Sequence, residues 1–153
     1  MHPVRRWFER ARKVPGGLAL FSKALGLYIP YTGSTGAQIQ SIGDGVAVVR
    51  LPDRRRVRNH LDSLHAIALA SVGELSTGLA VIGALPGSGR MIMRHLEVTY
   101  HCKARGDVTA TGRAEFPVTP GRHEVAATSE VRDAAGELVT SVTATWVVEI
   151  TSP

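Results

Sequence analysis

Apolar positions recur along this chain with two different periods. From Leu64 to about residue 83, the positions Leu64, Ile67, Ala68, Ser71, Val72, Leu75, Leu79 and Ile82 follow helical spacing. The remaining faces of that run hold Ala66, Ala70, Gly73, Gly78 and Ala80. A helix that is apolar or small all round belongs in an interior. Asp62 or Ser63 is placed to cap its N-terminus. Pro86-Gly87-Ser88-Gly89 stops it.

Beyond that helix the period becomes two. Leu96, Val98, Tyr100 and Cys102 alternate with His95, Glu97, Thr99 and His101. Val108, Ala110, Gly112, Ala114 and Phe116 alternate with Thr109, Thr111, Arg113 and Glu115. The run EVAATSEVRD alternates less cleanly, Asp133-Ala134-Ala135-Gly136 reads as a turn, and ELVTSVTATWVVEI as a long last strand. Such runs predict an antiparallel sheet with one wetter face.

Ahead of the helix, residues 4–13 predict a first helix, ended by Pro15-Gly16-Gly17. Residues 18–28 predict a second, ended near Pro30. GAQIQSIG and VAVVRLP flank Gly43-Asp44-Gly45, a hairpin signal. Residues 52–63 are polar and irregular. No linker or repeat divides the chain. The expected organisation is an N-terminal helical segment, residues 1–33, packed on one domain of residues 34–153. One long apolar helix beside about six antiparallel strands is an α+β layout. The helix has too few polar positions to lie on an open sheet, so the sheet must curl around it.

Composition adds constraints. The hydrophobic content is 44%, the charged content 20%, and aromatics only 5%, so Ala, Val, Leu and Ile build the core. A single cysteine, Cys102, permits no internal disulfide, and without an export signal the expected compartment is the cytoplasm. The net charge is +5, with clusters at Arg5–Lys13 and Arg54–Arg58. These lack interleaved aromatics, and no nucleic-acid module is present. Gly16–Tyr31 is apolar but too short and broken to span a membrane. Residues 4–30 are expected to pack on the domain, with peripheral contact at a membrane surface as the other reading.

One charged residue, Glu74, stands in an otherwise uncharged run from Ser63 to Gly89. A carboxylate there is costly unless paired or put to use. Asn59, His60 and His65 lie just upstream. A buried acid near an amide and two imidazoles suits a hydrolytic or proton-transfer site. The bland reading is a structural acid satisfied by Arg or backbone amides, a helix-start histidine, and an asparagine that shapes a turn. His95, His101 and Cys102 make no metal site, because His101 and Cys102 face opposite sides of a strand and the two histidines are too far apart.

Asn59, the six-residue step to His65 and the nine-residue step to Glu74 resemble a known pattern. In the hotdog-fold acyl-CoA thioesterases of the phenylacetate-pathway and 4-hydroxybenzoyl-CoA type, an Asn and a short loop precede His-Gly-Gly at the helix start. Asp or Glu follows about two turns into the helix. LEVTYHCKARGDVTATGRAEF and AAGELVTSVTATW resemble later strands of the same family. The resemblance spans roughly residues 34–150, and fits a branch apart from its well-studied enzymes. It implies a curved sheet around a central helix, a homodimer or dimer of dimers, and hydrolysis of an acyl-CoA or acyl-carrier thioester without metal or redox cofactor. Glu74 becomes the base or nucleophile, the Ala66 N–H an oxyanion donor, and Asn59 and His65 orienting groups. Glu74 would face Asn59 and His65 of the partner chain.

The departures are specific. Ala66 and Ile67 stand where the family has Gly-Gly, and Met93 where it often has a hydroxyl residue. They mark a site that binds acyl groups without hydrolysing them as the alternative outcome. His60 and Glu74 roughly resemble the spacing in hotdog dehydratases, but the Pro-Gly-rich segment those enzymes carry is absent. Arg54, Arg55 and Arg56 read first as a solvated loop, and are candidates for the phosphates of coenzyme A. His60, Ile67 and Met93 complete the expected substrate contacts.

Overall fold

Helix α4 (Ala66–Ala84) runs through the middle of the molecule, and the rest of the chain covers it. The computed structural model describes residues 1–87, 89–116 and 119–150. Three helices come first: α1 (Pro3–Ala11), α2 (Gly17–Tyr28) and α3 (Pro30–Thr35). The hairpin β1 (Gln38–Ile42) and β2 (Val46–Leu51) follows, then a short 3-10 turn at Arg55–Val57 and α4. The last strands are β3 (Gly89–Tyr100), β4 (Val108–Ala114), β5 (Gly121–Asp133) and β6 (Leu138–Ile150). All six strands form one antiparallel sheet in the order β1-β2-β4-β5-β6-β3. It curves around α4, as the wrapped-helix expectation requires.

Helix α4 packs chiefly on β2, β4, β5 and β6. Leu69, Val72, Leu79 and Val81 are buried along it, beside Val49, Val108, Val131 and Val142 from the sheet. The approach to β4 is so close that a Cβ at Gly112 would lie 2.1 Å from the Ser76 carbonyl oxygen. By length and composition α4 is long and apolar enough to cross a membrane, but 72% of its most apolar window is buried inside the fold. It is a core helix.

Four local features differ from the sequence expectation. The cap of α4 is His65 rather than Asp62 or Ser63, with Nδ1 accepting from the Ile67 N–H at 3.0 Å. Bonds from Leu64 N–H to Ala104 and from His65 N–H to Val57 hold the chain extended through Leu64, so helical geometry begins later. A third helix, α3, starts at Pro30, whose missing N–H costs nothing at a helix start. Strand β5 alternates cleanly, with Val125, Ala127, Ser129 and Val131 buried. Its pattern was obscured because Ser129 is polar; inside, its hydroxyl meets that of Ser76 at 2.7 Å. Strand β3 begins at Gly89, ahead of the predicted run, and a bulge between Met93 and His95 shifts its alternation.

The N-terminal helices share this core. Phe8, Phe21 and Leu25 are buried in one cluster with Ile39, Leu75 and Leu79. Arg5 pairs with Asp44 and donates to the Gly83 carbonyl, which fixes α1 to the end of α4.

Candidate active site

A cavity of about 1250 Å³ opens beside α4. Its inner wall is α4 itself, through Ile67, Ser71, Glu74 and Gly78, residues three or four apart and so on one face. Met91, Met93 and Trp146 close it from the sheet. Trp7, Tyr28, Ile29 and Tyr31 wall it from the N-terminal helices. Among the described residues, Glu74 is the one acidic residue in this lining.

Burial alone raises the Glu74 carboxyl above the ordinary glutamate range. No cation or donor among the described residues opposes that shift. Its backbone is held firmly: Thr77 Oγ1 donates to the Glu74 carbonyl at 2.7 Å and accepts from Trp146 Nε1 at 3.1 Å. A half-buried carboxylate whose pKa is raised by burial, in a mostly apolar chamber, is a stronger base than a solvent-exposed one.

The start of α4 forms a second cluster. Asn59 Oδ1 accepts from Leu61 N–H at 2.9 Å, Ser63 N–H at 3.3 Å and Ser63 Oγ at 3.1 Å. Three donors fix the amide, so Asn59 does shape a turn, and its NH2 group remains available to donate. His65 accepts at Nδ1, which leaves the ring proton on Nε2. The Ala66 carbonyl accepts from the Tyr100 hydroxyl at 2.8 Å, tying β3 to the helix start. The Ala66 N–H has no acceptor among the described residues. It sits at the positive end of the helix dipole. His65, Ala66 and Ile67 are all exposed in the single chain.

These two clusters do not meet within one chain. Nine residues separate His65 from Glu74, which is about 13 Å along the axis and close to half a turn around it. Of the sequence-derived site residues, Glu74, Ile67 and Met93 line the cavity, while Asn59, His60, His65 and Ala66 do not. His60 is exposed. Arg54, Arg55 and Arg56 also lie away from the cavity. The 3-10 turn carries Arg54 and Arg56 to a second groove, across α2 and α3 from Glu74.

Two aliphatic hydroxyl residues in the cavity were not among the residues expected at the site from sequence. Ser71 lies three residues before Glu74 on the same face, and Thr32 lies on α3. Ser71 was hidden as a small member of an apolar stripe, although its spacing from Glu74 was visible. Thr32 carried no signal, because its position depends on the fold of the N-terminal helices. Both offer hydroxyls in a cavity where Met93 supplies none.

Solved structures with this architecture cover nearly the whole chain. The protein solved as APC5556 superposes with a TM-score of 0.83 at 28% identity, covering 97% of this chain and 99% of that one. PA5026 of Pseudomonas aeruginosa, described as a protein of unknown function and "Probable Thioesterase", has a TM-score of 0.73 at 19% identity, covering 90% and 97%. The Haemophilus influenzae thioesterase HI1161 has a TM-score of 0.71 at 16% identity, covering 86% and 92%. No curated protein matches the sequence. The fold is the hotdog fold of these thioesterases. Residues 17–148 match the family model described as a domain of unknown function, DUF4442, and the chain belongs to that family.

Proposed function

We propose that this protein hydrolyses acyl thioesters, with Glu74 as the base or nucleophile. The observation that carries the reading is Glu74 itself: one carboxylate, raised in pKa by burial, on the wall of a mostly apolar cavity. The cavity suits an acyl group. Water activated by Glu74, or the carboxylate itself, attacks the thioester carbonyl carbon. The C–S bond then breaks, giving a free acid and a thiol. The hotdog thioesterases among the structural neighbours support this class of reaction.

The oxyanion needs donors that Glu74's own chain does not place near it. A second copy supplies them in this reading. Strand β3 is an edge of the sheet, twelve residues long, and carries the exposed apolar residues Ile92, Leu96 and Tyr100. Exposed Ile67 at the start of α4 extends that surface. A long apolar edge strand is a pairing surface. Two copies joined there bring the Ala66 N–H and the Asn59 amide of each chain to Glu74 of the other. Ser71 and Thr32 then assist in placing the attacking water.

The test is thiol release from a panel of acyl-CoA thioesters, short, long and aromatic, with Glu74→Gln alongside. Turnover lost in the variant supports the reading. Equal turnover in the variant removes Glu74 from the chemistry. A folded dimer inactive on the whole panel refutes hydrolysis of CoA thioesters, and acyl binding without turnover becomes the function.

A further inference from the structure

Helix α2 is apolar on two opposite faces, and only one of them is covered. Phe21 and Leu25 are buried against the domain, whereas Leu20 and Leu27 are 68% and 83% exposed on the far side. Exposed Lys23 lies between them, within one helical stripe. Eight of the thirteen large apolar side chains that are exposed among the described residues fall in residues 1–31.

Charge is concentrated in the same segment. Residues 1–43 hold six Lys and Arg residues against one acid, Glu9, while residues 44–153 hold twelve of each sign. The whole net charge of +5 therefore belongs to the N-terminal layer. Arg6, Arg10, Lys13 and Lys23 are exposed and have no ion pair among the described residues.

The groove beside the stripe is basic too. Lys23 and Leu27 line about 680 Å³ together with Arg54 and Arg56. Both guanidinium groups close over Gly36, whose φ of 71° and crowding suit only glycine. Neither arginine has an ion pair among the described residues. Three cations around a groove, next to apolar side chains that point outward, fit a phosphate at a hydrocarbon boundary.

We propose that the N-terminal helices dock this protein on an anionic lipid surface, with Leu20 and Leu27 entering the acyl region and Lys23, Arg54 and Arg56 meeting headgroup phosphates. A second copy is a poorer occupant, because this surface would set two clusters of like charge against each other. The same helices, through Tyr28, Ile29 and Tyr31, line the mouth of the cavity that holds Glu74. Naming acyl chains from that surface as its cargo rests on the thioesterase reading; the docking does not.

The test is co-sedimentation of the full chain with vesicles of phosphatidylcholine containing phosphatidylglycerol, against phosphatidylcholine alone. Binding to the anionic vesicles is expected, falling as salt is raised. Leu20→Asp/Leu27→Asp, both at exposed positions, should lower affinity at least tenfold while leaving the melting temperature and the hydrolysis of a short soluble thioester unchanged. Arg54→Ala/Arg56→Ala should weaken anionic binding several-fold. Equal binding to both vesicle types, or none, overturns the proposal. So does a leucine variant that binds as wild type, or one that changes only the oligomeric state. A rise in KM for an acyl-CoA with vesicle binding intact would return the arginine pair to the coenzyme. Loss of thioesterase activity on every soluble substrate, with vesicle binding retained, would refute the catalytic reading and leave the docking standing.

Discussion

Mixing two inactive variants tests whether the site is shared between chains. Glu74→Gln removes the carboxylate, and a lost general base costs roughly 10²–10⁴-fold in rate. Asn59→Asp is the better second variant than Asn59→Ala. It keeps an oxygen to accept from Leu61 and Ser63, so the turn survives, and it replaces the NH2 donor by a charged acceptor. Each variant alone has both of its sites damaged. Equal amounts, unfolded and refolded together, give mixed dimers as about half the population, by symmetry of assembly. In a mixed dimer with shared sites, one site joins intact Glu74 to intact Asn59, and the other carries both lesions. Recovered activity should therefore approach about a quarter of wild type, far above either variant. The assay is thiol release on the mixture, with light scattering to verify dimers. If both residues served one site within a chain, no mixed dimer would hold an intact pair. Activity at the level of the separate variants would refute the shared site. The helix geometry makes the first outcome the expected one, since about 13 Å and half a turn separate the cap from the acid.

Three further predictions concern stability and assembly. Burial raises the Glu74 pKa, so the unfolded chain releases this proton at lower pH than the folded one, and stability falls as pH rises through the window between the two values. Thermal melts of Glu74→Gln should lie above wild type at neutral pH and converge with it below the ordinary glutamate value; a variant less stable at neutral pH would show that the carboxylate is held by a partner. Ile92→Asp, at a side chain 69% exposed on the β3 edge, should give a folded monomer by light scattering, and an unchanged dimer would move the interface elsewhere. Ser129→Ala removes a buried hydroxyl pair but leaves Ser76 bonded to the Gly73 carbonyl, so chemical denaturation should show a loss of about 1 kcal/mol rather than the larger cost of a stranded polar group.

The local pattern determined most of the architecture. Period-two runs placed β4 and β6, helical spacing and small residues placed α4, and Gly43-Asp44-Gly45 placed the first hairpin, because each signal is carried by neighbours in sequence. Glu74 stood out for the same reason: a lone charge in an apolar run needs a use. Other features depended on distant partners. His65 caps α4 because backbone bonds to Val57 and Ala104 hold Leu64 extended, and no spacing rule announces those bonds. Ser129 broke the expected alternation of β5 until Ser76 appeared opposite it. Arg54 and Arg56 stood out by charge alone, and only the short turn that carries them places both at a groove across α2 and α3 from Glu74. Ser71 and Thr32 became cavity residues only once the N-terminal helices had closed over α4. Sequence determines which residues must be buried and with what period. Only the tertiary structure decides which buried faces meet, because that depends on contacts between residues far apart along the chain.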